Sequence, residues 1–261
     1  MNEQLNRLTQ QGVNAWNEWR RNNPDVRPGL RDINLPKAEL AGVDLSNADL
    51  LEADLSGANL SGANFEGANL YGAKLNDAKL VEANFDFANL NCADLRGALL
   101  DQAQFPQASL CGANLHHASL RNALLMNADL SESKTMNLPG AILENADLTG
   151  ANLRYANLVG ANLQGVDLSD ANLFCAPLGR ANLRNAKLSR TDLERAILIE
   201  TDLEGAKLID CRVYGMSAWD LKLEGATTEK IAEELKLSPN AVYAAFFRCG
   251  KRLRAALGGS R

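Results

Sequence analysis

The feature that most constrains this chain is a large apolar residue at every fifth position. The stretch that begins at Leu45 reads LSNADLLEADLSGANLSGANFEGANL, and an alanine stands two residues before nearly every one of these apolar residues. The period runs from about Leu30 to Leu130 and again from Leu138 to about Leu223. Five residues is the period of neither a helix nor a strand. It favours a chain that turns a corner every five residues and directs one large and one small residue inward on each side.

The alanine positions show how regular this period is. Of the 19 positions reached in steps of five from Ala38 to Ala128, 18 are alanine, and the exception is Val43. A unit of this size can bury its apolar side only by stacking on its neighbours, which defines a solenoid. The sequence therefore predicts an all-β solenoid over roughly three quarters of the chain.

The repeated unit also has a recognisable polar pattern. ADLSG at residues 53–57, ANLSG at 58–62 and ANLVG at 156–160 follow the form A-(N/D)-(L/F)-x-x. This pattern resembles that of the pentapeptide-repeat proteins. The resemblance implies a right-handed quadrilateral β-helix with four pentapeptides in each coil, and we expect about 10 coils between residues 30 and 225.

The phenylalanines offer a test of the four sides. If a coil contains four pentapeptides, residues twenty apart should stack in one column. Phe65, Phe85 and Phe105 are the only phenylalanines at central positions, and they are spaced by twenty. We expect their rings to form one structural column inside a single side, since rings at strand spacing stack more easily than scattered ones.

One interruption divides the repeat into two blocks. Eight residues separate Leu130 from Leu138 where five are expected, so the segment 131–137 carries about three extra residues. A protruding loop is the natural solution, because an insertion within a corner would misalign every later coil. In pentapeptide-repeat proteins that act on topoisomerases such loops matter for function, and a tolerated surface insertion is the alternative.

The segment before the repeats, residues 1–29, has near-helical spacing of its apolar residues. Leu8, Trp16 and Trp19 belong to this pattern, and Asn23-Pro24 ends it. An open end of a β-helix exposes unpaired backbone groups, which invite association. We therefore predict an N-terminal capping helix, with a partner site as the alternative.

The segment after the repeats, residues 226–261, returns to helical periodicity. Ser238, Pro239 and Asn240 form a turn between two predicted helices. The stretch resembles the helix-turn-helix of region 4 in bacterial sigma factors, and a capping or dimerising helical pair is the alternative. By that resemblance the candidate DNA contacts are Asn240, Tyr243, Arg248, Lys251, Arg252 and Arg254.

Several outward positions in the second block are unusually apolar. Such a patch usually marks contact with something: here the protein's own tail, a second subunit at the C-terminal end, or a protein partner. A cluster of four arginines lies within about one coil, and a solvated face is its simplest interpretation. The apolar residues are Val159, Phe174, Ile199, Tyr214 and Trp219, and the arginines are Arg180, Arg184, Arg190 and Arg195.

Catalytic and metal-binding motifs are missing from the sequence. The five cysteines are widely spread without Cys-x-x-Cys spacing, and the two histidines, His116 and His117, occupy outward positions. We expect no metal, no cofactor, no disulfide framework and no enzyme. The chain lacks an 18-residue apolar run and an apolar signal-peptide core at its start, so we expect a cytoplasmic, bacterial protein without membrane contact.

Charge counts limit the idea that the rod imitates DNA. Residues 30–225 contain 26 Asp and Glu against 16 Lys and Arg, a net charge of about −10. B-DNA as long as this rod, about 48 Å, carries about 28 charges. The favoured function is therefore a rigid scaffold for a protein partner, with topoisomerase or gyrase modulation as the sharpest version that the family suggests. The alternative is a DNA-binding or transcription-linked protein that uses the C-terminal helix-turn-helix.

Overall fold

The computed structural model describes residues 7–131 and 138–219, and within them the repeats wind as a four-sided parallel β-helix. Parallel bridges join Gly29 to Asp49, Asp49 to Asn69 and Asn69 to Asn89, so one coil is twenty residues long. Twenty residues are four pentapeptides, which confirms the predicted four sides. The number of coils depends in part on residues beyond Trp219 and stays a prediction.

The core is a continuous column of leucines and alanines. At a typical side, Leu60 and Ala58 are both fully buried, while Asn59 between them points outward. Burying one leucine side chain contributes about 1.5–3 kcal/mol, and most sides of the described coils bury a leucine in this way. The inward assignment of the central residues is therefore correct throughout the described repeats.

Backbone hydrogen bonds connect each side to the next coil. The central Leu50 donates its N–H to the carbonyl of Asn69 at 2.8 Å, and Ala53 closes the corner by donating to the carbonyl of Leu50 at 3.0 Å. Every fifth residue from Asp32 to Asn127, and again from Gly140 to Gly215, has a positive φ. This is the third residue of a type II turn, where glycine and asparagine are favoured.

The register changes once, between the two blocks. Before the interruption bridged residues are twenty apart, whereas Ser119 pairs with Ile142 and Asp129 pairs with Asn152, which are 23 apart. Three extra residues are therefore accommodated while the four columns continue in line. Of the predicted protruding loop, residues 131–137, the part 132–137 lies outside the described residues.

A helix packs against the first coil. A π-helical turn, Arg7–Gln11, leads into α1, Gly12–Asn22, which ends where Asn23 donates its N–H to the carbonyl of Arg20. Trp16 on α1 is completely buried, and its Nε1 donates to the carbonyl of Asp44 at 2.6 Å.

The contacts of α1 fall on backbone groups that no earlier coil can pair. Asn17 donates its Nδ2 to the carbonyl of Gly42 at 2.8 Å and accepts the N–H of Asp44 at 2.9 Å. A terminal guanidinium nitrogen of Arg20 donates to the carbonyl of Ser46 at 2.9 Å. The helix thus supplies hydrogen-bond partners to the open edge of the β-helix.

Two short strands lie near the end of the described chain. Strand β1, Ile197–Ile199, pairs in parallel with β2, Ser217–Trp219, and Ile197 lies opposite Ser217. Both strands belong to the same side of the rod, one coil apart. The predicted helical pair at residues 226–261 lies outside the described residues.

Candidate protein-binding face

One side of the second block collects the apolar residues that the sequence singled out. This side consists of the pentapeptides 155–159, 175–179, 195–199 and 215–219, stacked in register. Phe174 and Tyr214 lie in the turn that precedes the side, and Val159 and Ile199 lie in the turn that follows it. Trp219 is the last described residue, opposite Ile199 in β2.

The structure adds three residues to this side that sequence reasoning missed. Pro177 and Ile197 are bridged in the central outward column, and Tyr155 lies in the turn that precedes the side. Pro177 and Ile197 were detectable, because they stand twenty residues apart at the position where the repeat usually has Asn or Asp. We call the following set the apolar face: Tyr155, Val159, Phe174, Pro177, Ile197, Ile199 and Tyr214.

The apolar face is accessible to solvent. Tyr214 is 78 % exposed, Tyr155 43 %, Val159 39 % and Ile197 38 %. Large apolar side chains grouped in this way are uncommon on a rod whose other outward positions are mainly polar. Such groupings are typical of surfaces that contact other molecules.

The central outward column of this side is polar in the first block, although Tyr71 lies exposed in the turn that precedes the side there. The central outward column that contains Pro177 and Ile197 contains only polar or charged residues there, in the order Asn34, Asp54, Lys74, Asp94 and Asn114. The core beneath the column is leucine in both blocks. In this column the apolar character is therefore confined to Pro177 and Ile197, between Asn157 and Ser217, and is not a requirement of the repeat.

An aromatic and cationic cluster forms one edge of the apolar face. The rings of Tyr155 and Phe174 meet edge to face, with centroids 5.7 Å apart and an angle of 83°. The guanidinium carbon of Arg154 lies 4.4 Å from the centroid of Phe174, and that of Arg195 lies 5.7 Å from the same centroid. Such cation–π contacts hold long side chains in place at a surface.

The arginine cluster predicted from the sequence divides in the structure. Arg180 pairs with Glu200 at 2.8 Å, Arg190 donates to Asp170 at 2.6 Å, and Arg184 pairs with Asp202 and Glu204. These three arginines belong to a solvated, charge-paired surface, as the sequence suggested. The fourth, Arg195, contacts Phe174 instead.

The histidines and cysteines of the described part of the chain do not gather into a potential metal-binding group. The ring centroids of His116 and His117 lie 3.9 Å apart, but no group of three potential metal-binding side chains occurs among the described residues. The described cysteines are free thiols. Burial raises the pKa of the Cys211 thiol to about 11, and the thiol donates to the carbonyl of Leu188, so Cys211 is a packing residue and a poor nucleophile.

The predicted DNA contacts cannot be placed on this surface. Asn240, Tyr243, Arg248, Lys251, Arg252 and Arg254 lie outside the described residues. Within residues 7–131 and 138–219, no helix is long and apolar enough to cross a membrane.

Sequence comparison decides the family. The pattern described as pentapeptide repeats matches in eight copies within residues 38–77, 78–116, 93–132, 137–174 and 178–213, which is more than half of the chain. The chain is a pentapeptide-repeat protein. Its family implies a right-handed quadrilateral β-helix, and the twenty-residue coil is consistent with the four sides. No curated protein matches this pentapeptide-repeat protein in sequence.

Solved structures of other pentapeptide-repeat proteins are similar to it. HetL from the cyanobacterium Nostoc sp. strain PCC 7120, which is involved in the regulation of heterocyst differentiation, is 37% identical; the match covers 80% of this chain and 94% of HetL, with a TM-score of 0.45. QnrB1, a plasmid-mediated fluoroquinolone resistance protein, is 22% identical over 81% of this chain and 97% of QnrB1, with a TM-score of 0.40.

Proposed function

We propose that this pentapeptide-repeat protein is a non-enzymatic, rigid scaffold that binds a protein partner through the apolar face. The observation that carries the proposal is the contrast along one side of the rod. The central column is polar from Asn34 to Asn114 and becomes apolar at Pro177 and Ile197, although the same leucine core lies beneath both parts.

The rigidity of the rod supports a binding role. Along the side that carries Ile197, each coil donates its hydrogen bonds to the next, so lateral surfaces have no unpaired strand edge. A partner must therefore be held by side chains at fixed spacing. Preorganised side chains lose little conformational entropy on binding, which favours affinity.

Topoisomerases are the partner class that the family resemblance suggests most directly. The protein would then modulate gyrase from a surface on its second block. A supercoiling assay with the purified full chain tests this version. The matched variant Val159→Lys places a charge on the apolar face at an exposed turn position without touching the core. Inhibition or protection by the wild type that Val159→Lys loses supports the proposal.

A broader test does not require the partner's identity beforehand. The photoreactive residue p-benzoylphenylalanine replaces Ile197 in one full-length variant and Lys74, which occupies the same column of the polar block, in another. We expect Ile197 to crosslink to a specific protein in the producing cell and Lys74 to give no such product. Identical products at both positions would contradict a binding role for the apolar face.

We propose a cytoplasmic location and three segments. Residues 1–29 cap a rod of about 10 coils over residues 30–225, and residues 226–261 form a separate C-terminal segment. The contacts of Trp16 and Asn17 with Asp44 support the cap. Removing the cap should expose the first coil and promote end-to-end association. Light scattering of a Trp16→Ala, Asn17→Ala variant tests this, and an unchanged monomer mass would contradict it.

The second candidate function is DNA binding by residues 226–261. The observation that favours it is charge, because this segment contains 7 Lys and Arg against 3 Asp and Glu. Binding of the full chain and of a 1–225 truncation to duplex DNA across a salt series tests it. Tail-dependent binding that weakens steeply with salt supports DNA contact. No binding by either form would remove this candidate.

A further inference from the structure

Two arginines on the edge of the apolar face have no carboxylate partner in the part of the chain that the structure describes. Of the nine arginines from Arg31 to Arg212 in the described chain, seven lie within ion-pair distance of a described Asp or Glu. The two exceptions within these described residues are Arg154 and Arg195. Both contact the same ring, that of Phe174.

The way in which these arginines are held leaves their hydrogen-bonding groups available. A guanidinium that lies over an aromatic ring uses its flat surface, while its N–H donors point outward around the edge. Those donors match the two oxygens of a carboxylate. Arg195 is exposed and Arg154 is half-buried, so both guanidinium groups beside Phe174 are accessible to solvent.

The surroundings identify the rest of the ligand. Tyr155 packs against Phe174, and the side continues directly to Pro177 and Ile197. A ligand held by the two guanidinium groups therefore lies beside an apolar surface. An acidic peptide segment that also carries aromatic or aliphatic side chains satisfies both requirements.

Nucleic acid fits this arrangement less well. A nucleic acid presents a long row of phosphates, and a protein that tracks a duplex can contact about 6–10 of them. The neighbouring Arg212 is occupied by Glu194 at 2.9 Å, and residues 30–225 as a whole carry a net charge of about −10. Two guanidinium groups suffice for the few carboxylates of a short acidic segment, whereas the net negative charge of the rod repels a long phosphate chain.

We propose that Arg154 and Arg195, held over the ring of Phe174, bind carboxylates of an acidic segment in a protein partner. The apolar side chains of that segment lie on the apolar face. This inference rests on the proposed function and names the chemistry of its partner.

The test uses a fluorescein-labelled random copolymer of glutamate and tyrosine as the probe, with the full chain and fluorescence polarisation. The double variant Arg154→Gln, Arg195→Gln removes both guanidinium groups. The control Arg180→Gln, Arg190→Gln changes the net charge equally but removes arginines that already pair with Glu200 and Asp170. We expect at least ~10-fold weaker binding for the first variant and less than ~2-fold for the control.

Three results would overturn the inference. The first is that the wild type does not bind the copolymer. The second is that both double variants lose affinity for the copolymer equally. The third is that a single-stranded oligonucleotide binds more tightly than the copolymer, through Arg154 and Arg195. Circular dichroism verifies that the variants fold. The variant Arg154→Lys, Arg195→Lys keeps both charges but loses the paired N–H donors of the guanidinium groups. We expect its affinity for the copolymer to lie between those of the wild type and the Gln double variant.

Crosslinking identifies other occupants of the same surface. With p-benzoylphenylalanine at Tyr155 we expect a product with the copolymer. A product with residues 220–261 of the same chain, or with a second copy, that persists in excess copolymer would overturn the inference. If the copolymer fails to bind while position 197 still captures a cellular protein, the proposed function stands and only the acidic chemistry is lost.

Discussion

The ring of Phe85 lies parallel to that of Phe65, with centroids 4.9 Å apart and an angle of 1° between the ring planes. Phe105 continues the column at 4.8 Å and 5°. These distances equal the spacing of neighbouring β-strands, because the backbone ladder sets the separation of stacked coils. All three rings are fully buried.

Replacing Phe85, the middle residue of this column, should lower the free energy of unfolding. Phe85→Leu restores the usual residue of the repeat but removes both ring contacts, and we expect the free energy of unfolding to fall by ~1–2 kcal/mol. Phe85→Ala should cost ~3–5 kcal/mol, because it also leaves a cavity. Urea denaturation followed by circular dichroism measures both. Phe105→Leu is the control, since this ring has one aromatic neighbour, and an equal cost for Phe105→Leu and Phe85→Leu would contradict a ring–ring contribution.

The inward positions of this fold are predictable because the repeat encodes them locally. A leucine or phenylalanine every five residues specifies the core, and spacings of twenty place Phe65 beneath Phe85 before any coordinates are known. The helix over residues 12–22 also follows from its apolar spacing. Its hydrogen bonds to Gly42 and Asp44 do not, because they depend on where a helix lies against the first coil.

The candidate site was only partly predictable for a related reason. Outward residues acquire meaning from their neighbours in adjacent coils, and Pro177 and Ile197 look unremarkable until their column is aligned. The sequence grouped Arg195 with Arg180 and other nearby arginines. Only side-chain geometry separates the arginine over Phe174 from those that reach a carboxylate.

Threonines in the second block replace alanine without opening the core. Thr191 is fully buried, and its hydroxyl donates to the carbonyl of Leu168 at 2.8 Å; Thr201 makes the same bond to Leu178. Thr191→Val should lower the free energy of unfolding by ~1–2 kcal/mol, because a methyl group would face that carbonyl. Thr149→Val, at an outward turn position, should change it by less than ~0.5 kcal/mol. Thermal melts compare the two, and equal effects would contradict a structural role for the buried hydroxyl.

Two glycines at the same turn position should differ in their tolerance of alanine. Both Gly62 and Gly165 have positive φ, and a Cβ on Gly62 would meet nothing within 4 Å. Gly62→Ala should therefore lower the free energy of unfolding by ~1–2 kcal/mol, which is the cost of holding an alanine at positive φ. A Cβ on Gly165 would collide with Oδ1 of Asn145. Displacing that side chain should add ~0.5–1.5 kcal/mol.

A double variant separates these two contributions. Asn145→Ala in the Gly165→Ala background removes the collision, so the remaining effect of the glycine substitution should fall to that of Gly62→Ala. Chemical denaturation of the wild type, the two single variants and the double variant forms a double-mutant cycle. Additive effects of Gly165→Ala and Asn145→Ala would show that the collision contributes nothing.

Asp86 should make the fold less stable as its carboxyl ionises. Burial, together with the charge of Glu66, raises the pKa of Asp86 above its ordinary 3.8. Its Oδ1 is buried and has no hydrogen-bond partner within the described part of the chain. The folded protein therefore holds this proton more tightly than the unfolded chain, and stability decreases as pH rises from about 3.8 through the raised pKa.

Asp86→Asn should accordingly raise the melting temperature at pH 7, with the gain disappearing below pH 3.8, where wild-type Asp86 is protonated in both states. Asp54 supplies a control of opposite sign, because hydrogen bonds from Ser56 lower the pKa of its carboxyl. Asp54→Asn should lower the melting temperature at pH 7, and this loss should fade as pH falls from 3.8 through the lowered pKa. Thermal melts of both variants from pH 3 to 8 measure the two trends. A change of the melting temperature at pH 7 in the same direction for both substitutions would contradict a pKa of Asp86 raised by burial beside Glu66.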